Sequence, residues 1–271
     1  MGKEEYFISK FKNATIGDDG AIIGNKIYSK DLFCEDIHFK RSWMSLAQIA
    51  KKSMLVNLSD AIAMNAKPKY ALIGIVIPSN FSYKELDELG CGFNEVAKEY
   101  GVRIIGGDTT SGEKLFISIT IISEAKKPTC RKVLKQNQLV AYTGKIGQSA
   151  KGLKRLFQGG KLHSKSRFIT PELKGKFFYN SAPYIYSALD ISDGLSKDLS
   201  RLCKKRVGIK FLKKLGKNEL CSGEEYEMLF SFEKRYKTKI ENLAKKHRIK
   251  LNIFAKVTRG KYTSCCKENH F

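Results

Sequence analysis

The chain has 271 residues, 42% of them hydrophobic and 11% aromatic, which excludes wholesale disorder and is long enough for two domains. Its formal net charge is +23 and uneven: residues 1–135 hold 20 Lys+Arg against 16 Asp+Glu (+4), and residues 136–271 hold the remaining 30 against 11 (+19). A half this basic attracts anions, although a Lys-rich surface that confers only solubility accounts for the charge equally well.

Met1-Gly2-Lys3-Glu4-Glu5 leads into no apolar signal region, and a short helix is expected over 4–12. Gly17-Asp18-Asp19-Gly20 reads as a turn. A strand from Lys26 to Phe33 alternates so that Ile27, Ser29, Asp31 and Phe33 share one face, placing a carboxylate among apolar side chains. From about Ser45 a helical pattern runs to Met64, with Leu46, Ile49, Ser53, Asn57 and Asp60 three or four apart; Asn65 and Pro68 end it. It is apolar almost all round and therefore buried. Burying the Asp60 carboxylate costs several kcal/mol, roughly 2–7, unless it is bonded to a neighbouring loop or binds a cation.

Tyr70–Ile77 reads as a buried strand, too short to span a bilayer. Ser82 caps a helix over Tyr83–Tyr100. A short strand 102–105 then runs into Gly106-Gly107-Asp108-Thr109-Thr110, where paired glycines let the backbone approach a ligand. Leu115–Ser123 is another strand, and the polar, basic stretch 124–138 marks a domain boundary. In the second half a strand over Leu139–Thr143 precedes Gly144-Lys145-Ile146-Gly147, which lacks the Lys-Ser/Thr step of a Walker loop and reads as a turn into a helix. Tyr186–Ile191 is a strand carrying Asp190, and Ser192 or Asp193 is expected to cap the helix that follows. Ser222 to Phe230 joins three acids to an apolar strand. The cysteines at 34, 91, 130, 203, 221, 265 and 266 form no CxxC pair and no zinc spacing, so they are expected to be reduced thiols of a cytoplasmic protein.

Singly, each acid reads as a turn, a cap or a solvated face. Together, Asp19, Asp31, Asp60, Asp108 and Asp190 form an oxygen-only set of the kind that suits Mg²⁺, and in phosphoryl transfer such carboxylates with their ions do the work of a Walker loop. Gly17-Asp18-Asp19, Glu35 to Phe39, Val56 to Met64, Gly106 to Thr110, Asp190 to Leu195 and Gly223 to Glu227 resemble, in order, the motifs of the thiamine-monophosphate kinase family, within the aminoimidazole-ribonucleotide synthetase superfamily. The resemblance continues to His270-Phe271. It implies an α+β fold of two domains, 1–135 and 136–271. The N-terminal sheet would form a shared barrel in a homodimer, and the C-terminal domain would be an α+β sandwich completing the site. It further implies Mg²⁺ on Asp19, Ser29, Asp31, Asp60, Asp108 and Asp190, with Asp193 on a further ion. ATP would lie at Gly107, Asp108, Arg131 and Ser192, and thiamine monophosphate at His38 and Glu224. The chain departs from the family at Glu225, where Asp is usual, at Ser111, where Arg is common, and at Cys265, near an aromatic substrate contact. It is also shorter than usual between Gly159 and Glu224.

The activity expected is transfer of the γ-phosphoryl group of ATP to thiamine monophosphate, by in-line attack that needs no strong base. A selenophosphate-synthetase-like sister enzyme would carry a reactive Cys near residues 1–20, and none is there. A purine-pathway synthetase type is the other enzymatic alternative. A basic nucleic-acid binder would interleave aromatics with a basic groove, and it leaves the six acidic motifs unexplained; neither nucleic acid nor membrane is expected as a partner.

Overall fold

The computed structural model describes residues 3–11, 13–204 and 206–266; the terminal His270-Phe271 lies outside them. In chain order the elements are α1 (Lys3–Ile8), β1 (Ala21–Ile23), β2 (Lys26–Cys34), α2 (Leu46–Ala63), β3 (Lys67–Pro78), α3 (Tyr83–Tyr100), β4 (Arg103–Gly112) and β5 (Phe116–Glu124). Then come β6 (Leu139–Thr143), α4 (Gln148–Phe157), α5 (Gly175–Ser181), β7 (Ile185–Asp190), α6 (Leu195–Leu202), β8 (Val207–Phe211), α7 (Lys217–Cys221), β9 (Met228–Phe232), α8 (Lys237–Lys246) and β10 (Leu251–Arg259). The strands form two five-stranded sheets, ordered β1-β2-β5-β3-β4 and β7-β9-β6-β10-β8, so the fold is α+β. No helix among the described residues is long and apolar enough to cross a membrane.

The two long helices begin where their sequences specify. Ser45 and Gln48, and likewise Ser82 and Glu85, exchange side-chain and backbone hydrogen bonds as capping boxes, satisfying donors that a helix start leaves open. Gly101, left-handed at φ 65°, ends α3. Both helices cover one face of the first sheet, where Ile49, Met54 and Leu58 of α2 meet Ile117, Ile119 and Ile121 of β5. Each such fully buried side chain contributes about 1.5–3 kcal/mol relative to an exposed one. The far end of α2 reaches the second sheet, where Ile62 and Ala63 join Phe177, Phe178 and Phe230 in another core cluster. α2 is thus buried on nearly every side, as its composition requires.

Four expectations change. The strand expected to stop at residue 105 continues through the glycine pair to Gly112, as the parallel edge partner of β3. The close approach that Gly107 permits is to β3, because a Cβ there would stand 1.7 Å from the Ile73 carbonyl oxygen. Gly194, with no side-chain cap bond, occupies the N-cap of α6 in place of Ser192 or Asp193. Finally, Cys221 and Cys266 are joined in a disulfide across 45 positions, while Cys34, Cys91, Cys130, Cys203 and Cys265 are free thiols. No short-range spacing announces a bridge that long.

Candidate active site

The acids of the first sheet, α2 and the second sheet converge where α2 crosses between the sheets. Asp19 leads into β1, Asp31 stands on the helix-facing side of β2, Asp60 on the last turns of α2, and Asp190 at the end of β7. Asp19, Asp60 and Asp190 each place a carboxylate oxygen within 4.8 Å of the others. Ser59 Oγ donates to Asp190 Oδ2 at 2.6 Å, and the Asp31 N–H donates to Asn57 Oδ1 at 2.9 Å, so residues of one helical turn orient two of the acids. The Arg131 guanidinium pairs with Asp19, while its backbone N–H donates to Asp18 Oδ2 at 3.0 Å. Arg131 therefore closes the cluster from the segment linking the sheets.

Like charges this close in a buried setting resist ionisation. Burial, opposed by Arg131 and reinforced by Asp190, pushes the Asp19 carboxyl up to about 7. Burial and the Asp19 charge raise Asp31 to about 6, and burial, partly offset by the Ser59 bond, raises Asp190 to about 6. Asp60 is held well above its ordinary range by burial and then by Asp31, Asp190 and Asp19. Asp19 Oδ2 and Ser29 Oγ are buried without a hydrogen-bond partner in the protein. Hard oxygen donors with unsatisfied lone pairs fit Mg²⁺, whose charge would reverse the repulsion.

Two clefts meet here. One, of about 470 Å³, holds Asp19, Asp31, Asp60, Arg131, Asp190 and Asp193. The other, of about 330 Å³, is walled by Trp43, Phe157 and Phe168. His38, Ser192 and Glu224 line both. His38 accepts the Cys34 N–H at Nδ1 (3.0 Å) and stacks on Phe33. In the neutral ring the proton therefore sits on Nε2, which makes His38 a donor rather than a base.

Other expected residues are placed differently. Asp193 pairs with Arg201 and lies 3.9 Å from Lys197, and its N–H donates to Asp198 Oδ2. Gly107 and Asp108 are on the edge strand β4, separated from β2 by β5 and β3. Register puts Asp108 level with Gly74, Ser118 and Leu32, on the side of the sheet opposite to Asp31. Within one chain the two carboxylates cannot meet. Glu225 accepts the Ser149 N–H at 3.0 Å and so serves the start of α4.

Sequence reading missed Lys52. It is fully buried, donates to Glu224 Oε2 at 2.8 Å, and lies 4.1 Å over the Phe168 ring. Removing Glu224, which is itself partly exposed in the clefts, would leave the buried Lys52 charge without its carboxylate partner. The position of Lys52 on an otherwise apolar helix was the available signal.

Residues 17–125 match the family profile "AIR synthase related protein, N-terminal domain". A thiamine-monophosphate kinase of Buchnera aphidicola is 32% identical over 90% of this chain and 84% of its own length. Another, from Nitrosopumilus maritimus, is 30% identical over 83% and 79%. This chain belongs to the thiamine-monophosphate kinase family. The Bacillus subtilis member is 34% identical over 70% of the chain, a match spanning 63% of that relative. Among solved structures, "AaThiL complexed with AMPPCP and TMP" superposes with a TM-score of 0.81 at 22% identity, covering 96% of this chain and 90% of that one. The hydrogenase maturation protein HypE in complex with ATP shares the fold at a TM-score of 0.69 and 15% identity, covering 95% and 87%.

Proposed function

We propose that this protein is an ATP-dependent kinase that converts thiamine monophosphate to thiamine diphosphate, acting with Mg²⁺. The observation that carries this reading is the junction of the two clefts. An acidic cluster with unsatisfied oxygens opens, at His38, Ser192 and Glu224, into an aromatic-walled cleft of a size for a heteroaromatic acceptor. Mg²⁺ held by Asp19, Ser29, Asp31, Asp60 and Asp190 would neutralise charge on the transferring phosphoryl group. Arg131 would bind ATP phosphate oxygens as a fixed cation, and Ser192 would donate to them. His38 Nε2–H would hold the acceptor phosphate, and Glu224, set by Lys52, would face the thiazolium. The acceptor phosphate oxygen attacks in line, and no side chain need remove a proton.

Asp193 enters this reading as ligand of a further ion only by giving up its bond to Arg201. Gly107 and Asp108 enter it only from a second copy of the chain. A homodimer built on the helix-free face of the first sheet is supported by the apolar Leu32 and Leu72 exposed there beside Asp108. A cytoplasmic location belongs to the same reading, where ATP is at hand.

The test is the purified protein with ATP, Mg²⁺ and thiamine monophosphate, with products resolved by chromatography. Thiamine diphosphate should form, and free thiamine, which lacks the attacking phosphate, should be a poor acceptor. Equal phosphorylation of thiamine would overturn the substrate assignment.

A further inference from the structure

We infer that Cys221 and Cys266 form a reversible oxidation site that takes a small-molecule disulfide and tightens the acceptor cleft when bridged. The inference rests on reading that cleft as the thiamine monophosphate site.

Cys221 ends α7 and itself lines the aromatic cleft, immediately before Ser222, Gly223 and Glu224, which line it too. Its backbone also abuts the loop that carries Asp190 to Gly194: a Cβ on Gly194 would stand 3.1 Å from the Cys221 carbonyl carbon. The other half of the bridge comes from the segment after β10, residues 260–266, which has no regular secondary structure. That segment is fastened to α6 by side chains converging on Ser196. Tyr262 Oη lies 2.9 Å from Ser196 Oγ, and the Cys265 N–H donates to it at 3.2 Å. The disulfide carries this attachment across to α7, so one covalent link ties α6, the segment and the cleft loop together.

The cleft loop is also anchored by hydrogen bonds: the Ser222 N–H donates to the Asn218 carbonyl, and the Glu225 and Tyr226 N–H groups both donate to the Ile191 carbonyl, so the bridge adds a covalent tie to a loop already held at its far end. Ser222 Oγ accepts the Ala150 N–H and donates to Glu225, and Glu224, at φ 54°, is held by its N–H to the Ser192 carbonyl and by Lys52. Left-handed backbone at a non-glycine residue persists only where its surroundings hold it. Cutting the bridge frees the residue three positions before Glu224. Cys265, exposed and free, has its sulfur 3.8 Å from that of Cys266, which makes this a three-sulfur cluster open to solvent-borne thiol chemistry. In a reducing compartment disulfides are commonly transient and sensing rather than structural.

The step balances with one disulfide co-reactant such as glutathione disulfide. A thiolate of the pair attacks one glutathione sulfur and expels a glutathione thiolate. The second cysteine thiolate attacks the protein sulfur of this mixed disulfide and expels the other. Two cysteine thiols are oxidised, one glutathione disulfide is reduced to two glutathione thiols, and the cysteine protons pass to the departing thiolates.

The experiment compares the full chain equilibrated with glutathione disulfide or with dithiothreitol, by peptide mapping after alkylation, by hydrogen exchange of the 222–226 segment, and by steady-state kinetics. Oxidised protein should yield the Cys221–Cys266 peptide pair and exchange at 222–226 about fivefold more slowly. Its KM for thiamine monophosphate should be three- to tenfold lower, with kcat and the KM for ATP within about twofold. Cys221→Ser and Cys266→Ser should behave as reduced protein in both buffers, and Cys265→Ser should keep the response. Alkylation of Cys221 after oxidation, unchanged exchange, an equal KM in both states, or a response abolished by Cys265→Ser would overturn the site. Absence of thiamine diphosphate in either state, with the bridge mapped and exchange slowed, would fail the kinase reading and keep the oxidation site.

Discussion

Two groups of acids lie on either side of the loop from Asp190 to Gly194, and they are compensated differently. Asp193 and Asp198 face the guanidinium of Arg201, with Lys197 3.9 Å from Asp193. Asp19, Asp31, Asp60 and Asp190 have Arg131 paired with Asp19; burial first, and then the charges of their neighbours, raise Asp19, Asp31 and Asp190 to about 6 or 7 and hold Asp60 well above its ordinary range. The first group is an ion-pair network at the start of α6, although burial, opposed by Arg201, pushes Asp198 up to about 8, so the ion pairs and not the carboxyl shifts set this group apart. The second is short of positive charge and keeps buried oxygens without partners, which fits the proposed cation. Neighbouring aspartates in one motif can therefore have opposite tasks, and the count of cations within reach separates them.

The sharpest way to break this contrast is in the second group. Asp190→Asn keeps an oxygen for Ser59 yet removes a charge from the proposed metal-binding set, and kcat should fall on the order of a hundredfold or more. A variant within a fewfold of wild type, measured by initial rates at saturating substrates, would take Asp190 out of the site.

The next effect is on stability against pH in metal-free protein. Asp19, Asp31 and Asp190 bind protons more tightly folded, at about 6 to 7, than at the ordinary 3.8, and buried Asp198 of the first group, at about 8, adds to the effect with the same sign. Between those limits the folded state holds more protons than the unfolded one, so the stabilisation is full below 3.8 and is lost as pH rises toward 7. In EDTA these groups should make the Tm fall by several degrees from pH 5 to pH 8, and saturating Mg²⁺ should recover much of that fall at the upper end. A metal-free Tm that rises over this range would contradict the crowding.

The smallest effect belongs to the compensated group. Asp193→Asn leaves Arg201 its bond to Asp198, and kcat should change by less than about tenfold, with the Mg²⁺ response of the Tm intact. A loss as large as that of Asp190→Asn would join Asp193 to the metal set.

Much of this was legible in the chain. The apolar spacing from about Ser45 and the capping residue Ser82 marked the two long helices, and period-two alternation put Ser29 and Asp31 on the inner face of β2. What was hidden depends on partners distant in sequence. The glycine pair at 106–107 looks like a loop until β3 is beside it, since strand pairing, not local propensity, extends β4 to Gly112. Lys52 stands out on a largely apolar helix, but its partner Glu224 lies 172 positions away. Asp193 reads as a cap until Gly194 takes that place, and nothing local shows that Arg201 folds back on it. The Cys221–Cys266 bridge has no local sign at all.

In the proposed site Asp60 and its neighbours repel one another until Mg²⁺ binds. Thermal melting of wild type and Asp60→Asn, each in EDTA and in Mg²⁺ with a non-hydrolysable ATP analogue, tests it directly. Asp60→Asn should melt at or above wild type without metal, because it relieves repulsion, and should gain markedly less than wild type from Mg²⁺ with the nucleotide, because ligand binding stabilises only the native state. An Asp60→Asn protein that melts lower than wild type in EDTA and keeps the full Mg²⁺ response would contradict the account, leaving Asp60 as a structural acid satisfied within the protein.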